Sequence, residues 1–244
     1  KEPCRIVPIS LSEERGAKMP DVKIKEIDIT PDKSLMPKIG QAGYSVSQAI
    51  SELIDNSVDA RFSDVPVTIL VNLSTDHIEI SDDGKGMTEQ EAANCLRLAH
   101  SKKKHQLGEF GLGLKTAAQS LGKTFTVITT TKQDKSSYVI RFDETEWLEK
   151  GDWKKHPMEL RVKPDKNKTG TTILIENLKI KFYPNLVTNI KDDLGLRFAP
   201  YIENGLVKIK VNTLWCAHKA LELTSEGKEK FKLPISDGNE IHGW

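Results

Sequence analysis

Gly108-Glu-Phe-Gly-Leu-Gly-Leu-Lys115 brings three glycines and a lysine together at the start of a helical stretch. A helix start presents free N–H groups and the positive end of the backbone dipole, so it favours an anion there. Lys115 in the first turn adds a cation. The spacing departs from the Gly-Lys-Ser/Thr phosphate loop, and no strand–turn–helix unit of the dinucleotide-binding kind surrounds it. Just before it, Ser101-Lys-Lys-Lys-His105 is polar and basic, either a loop that closes over an anion or a solvated lysine run.

Upstream, Ser45 to Ala60 reads as a helix with an apolar stripe of Val46, Ala49, Ile50, Leu53, Ile54 and Ser57 or Val58. Glu52, Asn56 and Asp59 fall on the opposite face, four and three residues apart. A solvated face is usually rich in lysine. This one carries short acids and an amide, with no cation before Arg61. Oxygen donors of this kind suit a hydrated Mg²⁺, with Asn56 giving an amide oxygen. Glu52, one turn earlier, is placed to deprotonate a water. Between the two regions, Ile80-Ser-Asp-Asp-Gly-Lys-Gly-Met87 puts Asp82 at a strand end, followed by Gly84 and Gly86. The carboxylate can accept the exocyclic amine of adenine, and the glycines let a flat base approach the backbone. Read alone, it is an ordinary tight turn. Gly170-Thr-Thr-Ile-Leu-Ile-Glu176 is a strand entered through glycine, in which Thr171 either bonds a ligand or simply suits the strand.

Around these motifs, Val22–Ile29, Val67–Leu73, His77–Ser81, Thr124–Thr131, Ser137–Phe142, Met158–Val162, Thr171–Glu176 and Leu206–Asn212 have strand character. Thr88–Leu98 reads as a helix, with Thr88 as cap and Glu91 as capping-box partner. Gly111–Leu121 and Asn185–Phe198 complete the helices, and a boundary falls near Asn177–Pro184. The 244 residues suffice for one large domain or two small ones. Hydrophobic content of 37% is that of a globular protein, no apolar run is long enough for a membrane span, and a net charge of +1 gives global charge no vote for nucleic acid. Cys4, Cys95 and Cys216 are few, odd in number and far apart, which argues against a disulfide framework and a zinc site and fits a reducing compartment. The expected location is therefore intracellular, cytoplasmic or nuclear. The start at Lys1 rather than Met suggests a fragment or processed chain.

Taken in order, Glu-x-x-x-Asn-x-x-Asp-Ala, Asp-x-Gly-x-Gly-Met, Gly-x-Phe-Gly-x-Gly-x-Lys and Gly-Thr resemble the GHKL ATPase superfamily. That superfamily includes type II topoisomerase ATPase domains, the ninety-kilodalton heat-shock chaperones, sensor histidine kinases and MutL proteins. Gly108–Lys115, Gly170–Leu178 and the Ser101-Lys102 pair look most like its MORC group. The resemblance implies an α+β Bergerat fold, a two-layer sandwich of a mixed sheet with helices on one face, followed by the start of a transducer-like α/β domain. It divides the chain into an N-terminal segment 1–40 (a candidate dimerisation strap), an ATP-binding domain 41–178 and a partial transducer-like domain 179–244.

By position, Glu52 is then the general base and Asn56 the Mg²⁺ ligand, while Asp82 reads the adenine amine with help from Thr171. Gly84, Gly86 and Met87 shape the base pocket. Gly108, Phe110, Gly111, Gly113 and Lys115 contact the phosphates, Ser101 and Lys102 belong to the lid, and Leu112 and Leu114 complete the cofactor-binding set. Asp59 is structural within the motif, Asp55 is an additional acid beside the metal ligand, and no transducer lysine for the terminal phosphate can be assigned. The implied activity is Mg²⁺-dependent ATP binding and hydrolysis that drives lid closure and homodimerisation. ADP is the other ligand, and DNA, a chromatin-like complex or a protein client is the partner, with no membrane. Two alternatives stay open at this stage: a histidine-kinase-type phosphotransferase, and an ATP-binding module that does not turn over.

Overall fold

The structure is a computed structural model that describes residues 26–41, 43–99, 111–163, 165–218, 231–234 and 240–243. Two units are distinguished, 1–30 and 31–244. In the first, residues 26–30 carry no regular secondary structure, and Asp28 turns back to accept the Thr30 N–H at 2.8 Å. Val22–Ile29 was expected to be a strand. Residues 22–25 lie outside the described residues, and 26–29 join no ladder among those described.

The second unit runs α1 (Leu35–Ile39), α2 (Val46–Asp59), β1 (Val67–Leu73), β2 (His77–Asp82), α3 (Glu89–Asn94), α4 (Gly113–Leu121), β3 (Gly122–Thr130), β4 (Ser136–Asp143), α5 (Glu144–Lys150) and β5 (Glu159–Val162). It continues with β6 (Gly170–Leu178), α6 (Leu186–Arg197), α7 (Ala199–Glu203), β7 (Val207–Val211) and β8 (Leu214–Trp215). Last come β9 (Phe231–Pro234) and β10 (Glu240–Gly243), which form a separate antiparallel pair.

Eight strands make one sheet in the order β5-β4-β3-β6-β2-β1-β7-β8. Every neighbouring pair is antiparallel except β1 and β7, which run parallel with Val67 opposite Val207 and Val71 opposite Val211. The sheet is mixed, as the sequence implies. It also continues past the boundary expected at residue 178. Val-Lys-Ile-Lys-Val in β7 alternates with period two, and its three β-branched residues are buried in line with Val67, Ile69 and Val71. β7 and β8 thus share the sheet, and α6 the apolar core, of the residues before 178.

One large core holds most of the elements up to β7, and a smaller cluster of Ala92, Tyr138 and Ile140 joins α3 to β4. Ile50, Leu53 and Ile54 of α2 and Ala117, Ala118 and Leu121 of α4 pack with Ile78, Ile80, Phe125, Val127 and Ile175 of the sheet. Leu186, Ile190 and Leu194 of α6 extend the core over β7, and Phe125 stacks on Phe142, which meets Trp147 of α5. The helix ends follow local chemistry. Ser45 and Gln48 close a capping box on α2, and Thr88 and Glu91 close the expected one on α3. α3 stops at Asn94, short of the expected Leu98. α4 begins at Gly113 rather than Gly111, because Gly111 has φ +61°, outside the right-handed helical region. Helix α5 was not expected. Its signal is Asp143, whose Oδ1 accepts the N–H groups of Thr145 and Glu146 at 3.0 and 3.1 Å, ahead of an acidic first turn.

Phe125 is fully buried in the main core and stacks on the Phe142 ring. Phe125→Ala is expected to lower the unfolding free energy by about 3–5 kcal/mol in urea titrations. A loss below about 1 kcal/mol would contradict this placement.

Candidate functional site

Between α2, α3, α4 and the middle of the sheet lies a cavity of about 710 Å³, within the range of small-molecule sites. Of the residues expected at the site, Glu52, Asn56, Asp82, Gly86, Met87, Gly111, Gly113, Leu114, Lys115 and Thr171 line it. Gly84 and Leu112 are not in its lining, and Ser101, Lys102, Gly108 and Phe110 lie outside the described residues.

At one end stands the half-buried carboxylate of Asp82. Its Oδ2 accepts the Ser57 hydroxyl at 2.8 Å, and its Oδ1 accepts the N–H groups of Gly84 at 2.9 Å and Thr171 at 3.2 Å. Burial pushes the Asp82 carboxyl upward and Asp83 adds to this, while the Ser57, Gly84 and Thr171 hydrogen bonds pull it down. Three donors hold this group in one orientation, with acceptor capacity left to face the cavity. Thr171 is tied in twice, since its hydroxyl meets that of Thr129 at 3.0 Å, and Thr129 in turn accepts the Met87 N–H at 2.8 Å. The close approach of backbones here requires glycine. Gly86 has φ +69° and Gly170 has φ +111°. A Cβ on Gly86 would overlap the Thr130 carbonyl, and one on Gly170 the Asp82 carbonyl.

At the other end stand the α2 polar face and the start of α4. Glu52 is half-buried, and its Oε2 lies 3.2 Å from where a Cβ on Gly113 would be. Burial raises the Glu52 carboxyl, neighbouring Asp55 raises it further, and Arg197 opposes both. Asn56 donates its amide N–H to the Glu52 carbonyl at 3.1 Å, which leaves its amide oxygen for a ligand. Among the described residues no group of three or more His, Cys, Asp or Glu could hold a metal ion. A divalent cation at Asn56 would therefore draw its remaining ligands from water and from the bound anion, a pattern common for Mg²⁺.

Lys115 is only 3% exposed and donates to the Gly111 carbonyl at 2.6 Å. Burial lowers its ammonium to about 8. Burial likewise pushes the Cys95 thiol, in the same lining, up to about 11, so it stays protonated and a poor nucleophile at neutral pH.

Sequence reasoning missed several contributors. Ser57 was placed in the apolar stripe, and Thr129 passed as a strand residue. Thr169, whose hydroxyl donates to the Gly84 carbonyl at 2.6 Å, fell in a loop. Arg197 carried no motif, yet it reaches Asp55 at 3.0 Å and Glu52 at 3.6 Å. Lys208 and Lys210 lie in the region where a transducer lysine would fall, although none is assignable by motif. Both sit on β7 away from the cavity lining, with Lys210 over the Trp215 ring.

The comparisons with known proteins bear on this same region. Residues 44–171 match the family model described as histidine kinase-, DNA gyrase B-, and HSP90-like ATPase. The chain is similar to ATPase morc-1 of Caenorhabditis elegans, 37% identical over 82 residues that are 33% of this chain and 10% of that protein. Protein MICRORCHIDIA 3 of Arabidopsis thaliana is 34% identical over 100 residues, 38% of this chain and 17% of that protein. MORC family CW-type zinc finger protein 1 of Homo sapiens is 30% identical over 109 residues, 40% of this chain and 10% of that protein. The matches thus span under a fifth of each relative's length. The family match runs from just before α2 to Thr171 and includes Glu52, Asn56, Asp82 and Lys115. This match, on a mixed sheet with packed helices, shows that the chain belongs to the GHKL-type family of histidine kinase-, DNA gyrase B- and HSP90-like ATPases, with MORC proteins among its relatives.

Proposed function

We propose that this chain binds ATP with Mg²⁺ in the 710 Å³ cavity and hydrolyses it. The observation that carries the reading is one cavity with chemically distinct ends. A half-buried, three-fold hydrogen-bonded Asp82 stands at one, and Glu52 beside the start of α4 at the other. Asp82 accepts the adenine amine while Gly86 and Met87 line the base pocket. The α4 N-terminus and Lys115 hold the phosphates. Glu52 orients a water and takes its proton, and its upward-shifted carboxyl makes it a stronger base. Bound Mg²⁺ neutralises phosphate charge, and Asn56 is its protein ligand.

Ser101, Lys102, Gly108 and Phe110 belong to the proposed lid, whose closure would promote homodimerisation of two ATPase units through the 1–40 segment. Residues 179–244 then carry the signal toward a DNA, chromatin-like or protein partner. These last steps rest on the family resemblance. Among the described residues no helix is long and apolar enough to cross a membrane.

Three outcomes are expected. Glu52→Ala keeps ATP affinity within about threefold while phosphate release falls at least about 100-fold, the range of a lost general base. Equal turnover by variant and parent would reject the assignment. Asp82→Asn swaps an acceptor for a donor among three donors and weakens ATP binding at least about tenfold in calorimetric titration, about 1–3 kcal/mol for a mismatched buried hydrogen bond. Unchanged affinity would remove Asp82 from adenine recognition. The third concerns Lys115, whose ammonium titrates at about 8 in the free protein. A bound phosphate favours the charged form, so binding takes up a proton above that pH, and affinity falls as pH rises from 7.5 to 9. Titrations at about pH 8.5 in two buffers of different ionisation enthalpy measure the uptake. Binding with no proton uptake, or a Lys115→Met variant with the same pH profile, would place the phosphates elsewhere.

A further inference from the structure

Asp55 sits between the proposed base and the proposed metal ligand on α2, lines the same cavity and also reaches a second element. It is 8% exposed, and its Oδ2 accepts Arg197 Nη2 at 3.0 Å. The same Nη2 lies 3.6 Å from Glu52 Oε1. One nitrogen therefore stands between two carboxylates three residues apart on one helix face. It arrives from a point 142 residues further along the chain, in the last turn of α6.

Three observations define what this cation can do. Arg197 is absent from the cavity lining among the described residues, and it reaches the cavity wall through the two carboxylates. Two carboxylates one turn apart repel each other, and a shared cation holds them side by side. Glu52 is thereby kept against the first turn of α4, with Oε2 beside Gly113. Finally, the helix that delivers Arg197 is itself anchored. Leu186, Ile190 and Leu194 are in the core, and Gly195 leaves no room for a side chain against the Ala217 carbonyl.

We propose that Arg197 is a positioning residue for Glu52, which holds the base carboxylate at the α4 N-terminus and makes its placement depend on the seating of α6. The proposal rests on the reading of Glu52 as the general base. Its energetic basis is geometric: freed of Arg197, the Asp55–Glu52 repulsion turns Glu52 away from the reacting water, and small misplacements of a base reduce rate far more than binding.

The test compares the parent chain with Glu52→Ala, Arg197→Gln and Arg197→Lys for ATP affinity, kcat, KM and melting temperature. Arg197→Gln is expected to lower kcat at least about tenfold while KM and Kd for ATP stay within about threefold. Because both contacts come from one nitrogen, a lysine ammonium can occupy the same place, and Arg197→Lys is expected to recover at least about a third of the parent kcat. Parental kcat in Arg197→Gln overturns the proposal. So does an Arg197→Lys variant as slow as Arg197→Gln. A Gln variant that unfolds, or that loses affinity in step with rate, marks Arg197 as a structural residue and also overturns it. A parent chain no faster than Glu52→Ala sinks the hydrolysis reading and this inference together, whereas an active parent with an unaffected Arg197→Gln sinks this inference alone.

Discussion

Asp82 is the point on which the site depends. A carboxylate partly withdrawn from water at a strand end is costly unless donors meet it, and three do so from different parts of the chain. Ser57 comes from α2, Gly84 from the turn after β2, and Thr171 from the start of β6. Satisfying one charge therefore registers the helical layer against two adjacent strands of the sheet. The bonds also leave the group pre-oriented toward the cavity, so little is lost in ordering it when a ligand arrives. Gly86 and Gly170 are drawn into the same arrangement, because the turns that bring these donors together leave no space for a Cβ.

At the far end of the cavity the logic is electrostatic. A helix start, a buried ammonium and a raised carboxyl lie along one wall. The free protein holds Lys115 against the Gly111 carbonyl and Glu52 beside Arg197 and Asp55. Both ends carry charges desolvated in advance of a ligand, which favours a substrate that supplies an amine at one end and anionic oxygens at the other. The distinctive element is Arg197. It links the wall of the cavity to α6 and so to the strand, β7, that extends the sheet beyond residue 178.

Much of this was legible in the residues. The period of α2, the Thr88–Glu91 capping box and the alternation in β1, β2, β6 and β7 are local patterns, and local chemistry produced them. Asp82 and Glu52 could be singled out because their motifs carry spacing. What could not be read was pairing across sequence distance. Nothing near Arg197 announces that it meets Asp55, and Ser57 looks like a small residue on an apolar stripe until Asp82 is placed opposite. The partnership of β1 with β7 is of the same kind, because alternation marks a strand but not its neighbour. Helix α5 was missed for a different reason. Its seven residues are too few for a clear period, and only the Asp143 cap signals it.

The most direct test of this account is an experimentally determined structure of the chain with Mg²⁺ and a non-hydrolysable ATP analogue. The account predicts the adenine amino group within hydrogen-bonding distance of Asp82, the phosphates at the first turn of α4 beside Lys115, and the cation on the Asn56 amide oxygen. A nucleotide seated with its base away from Asp82, or with its phosphates away from the start of α4, would contradict it.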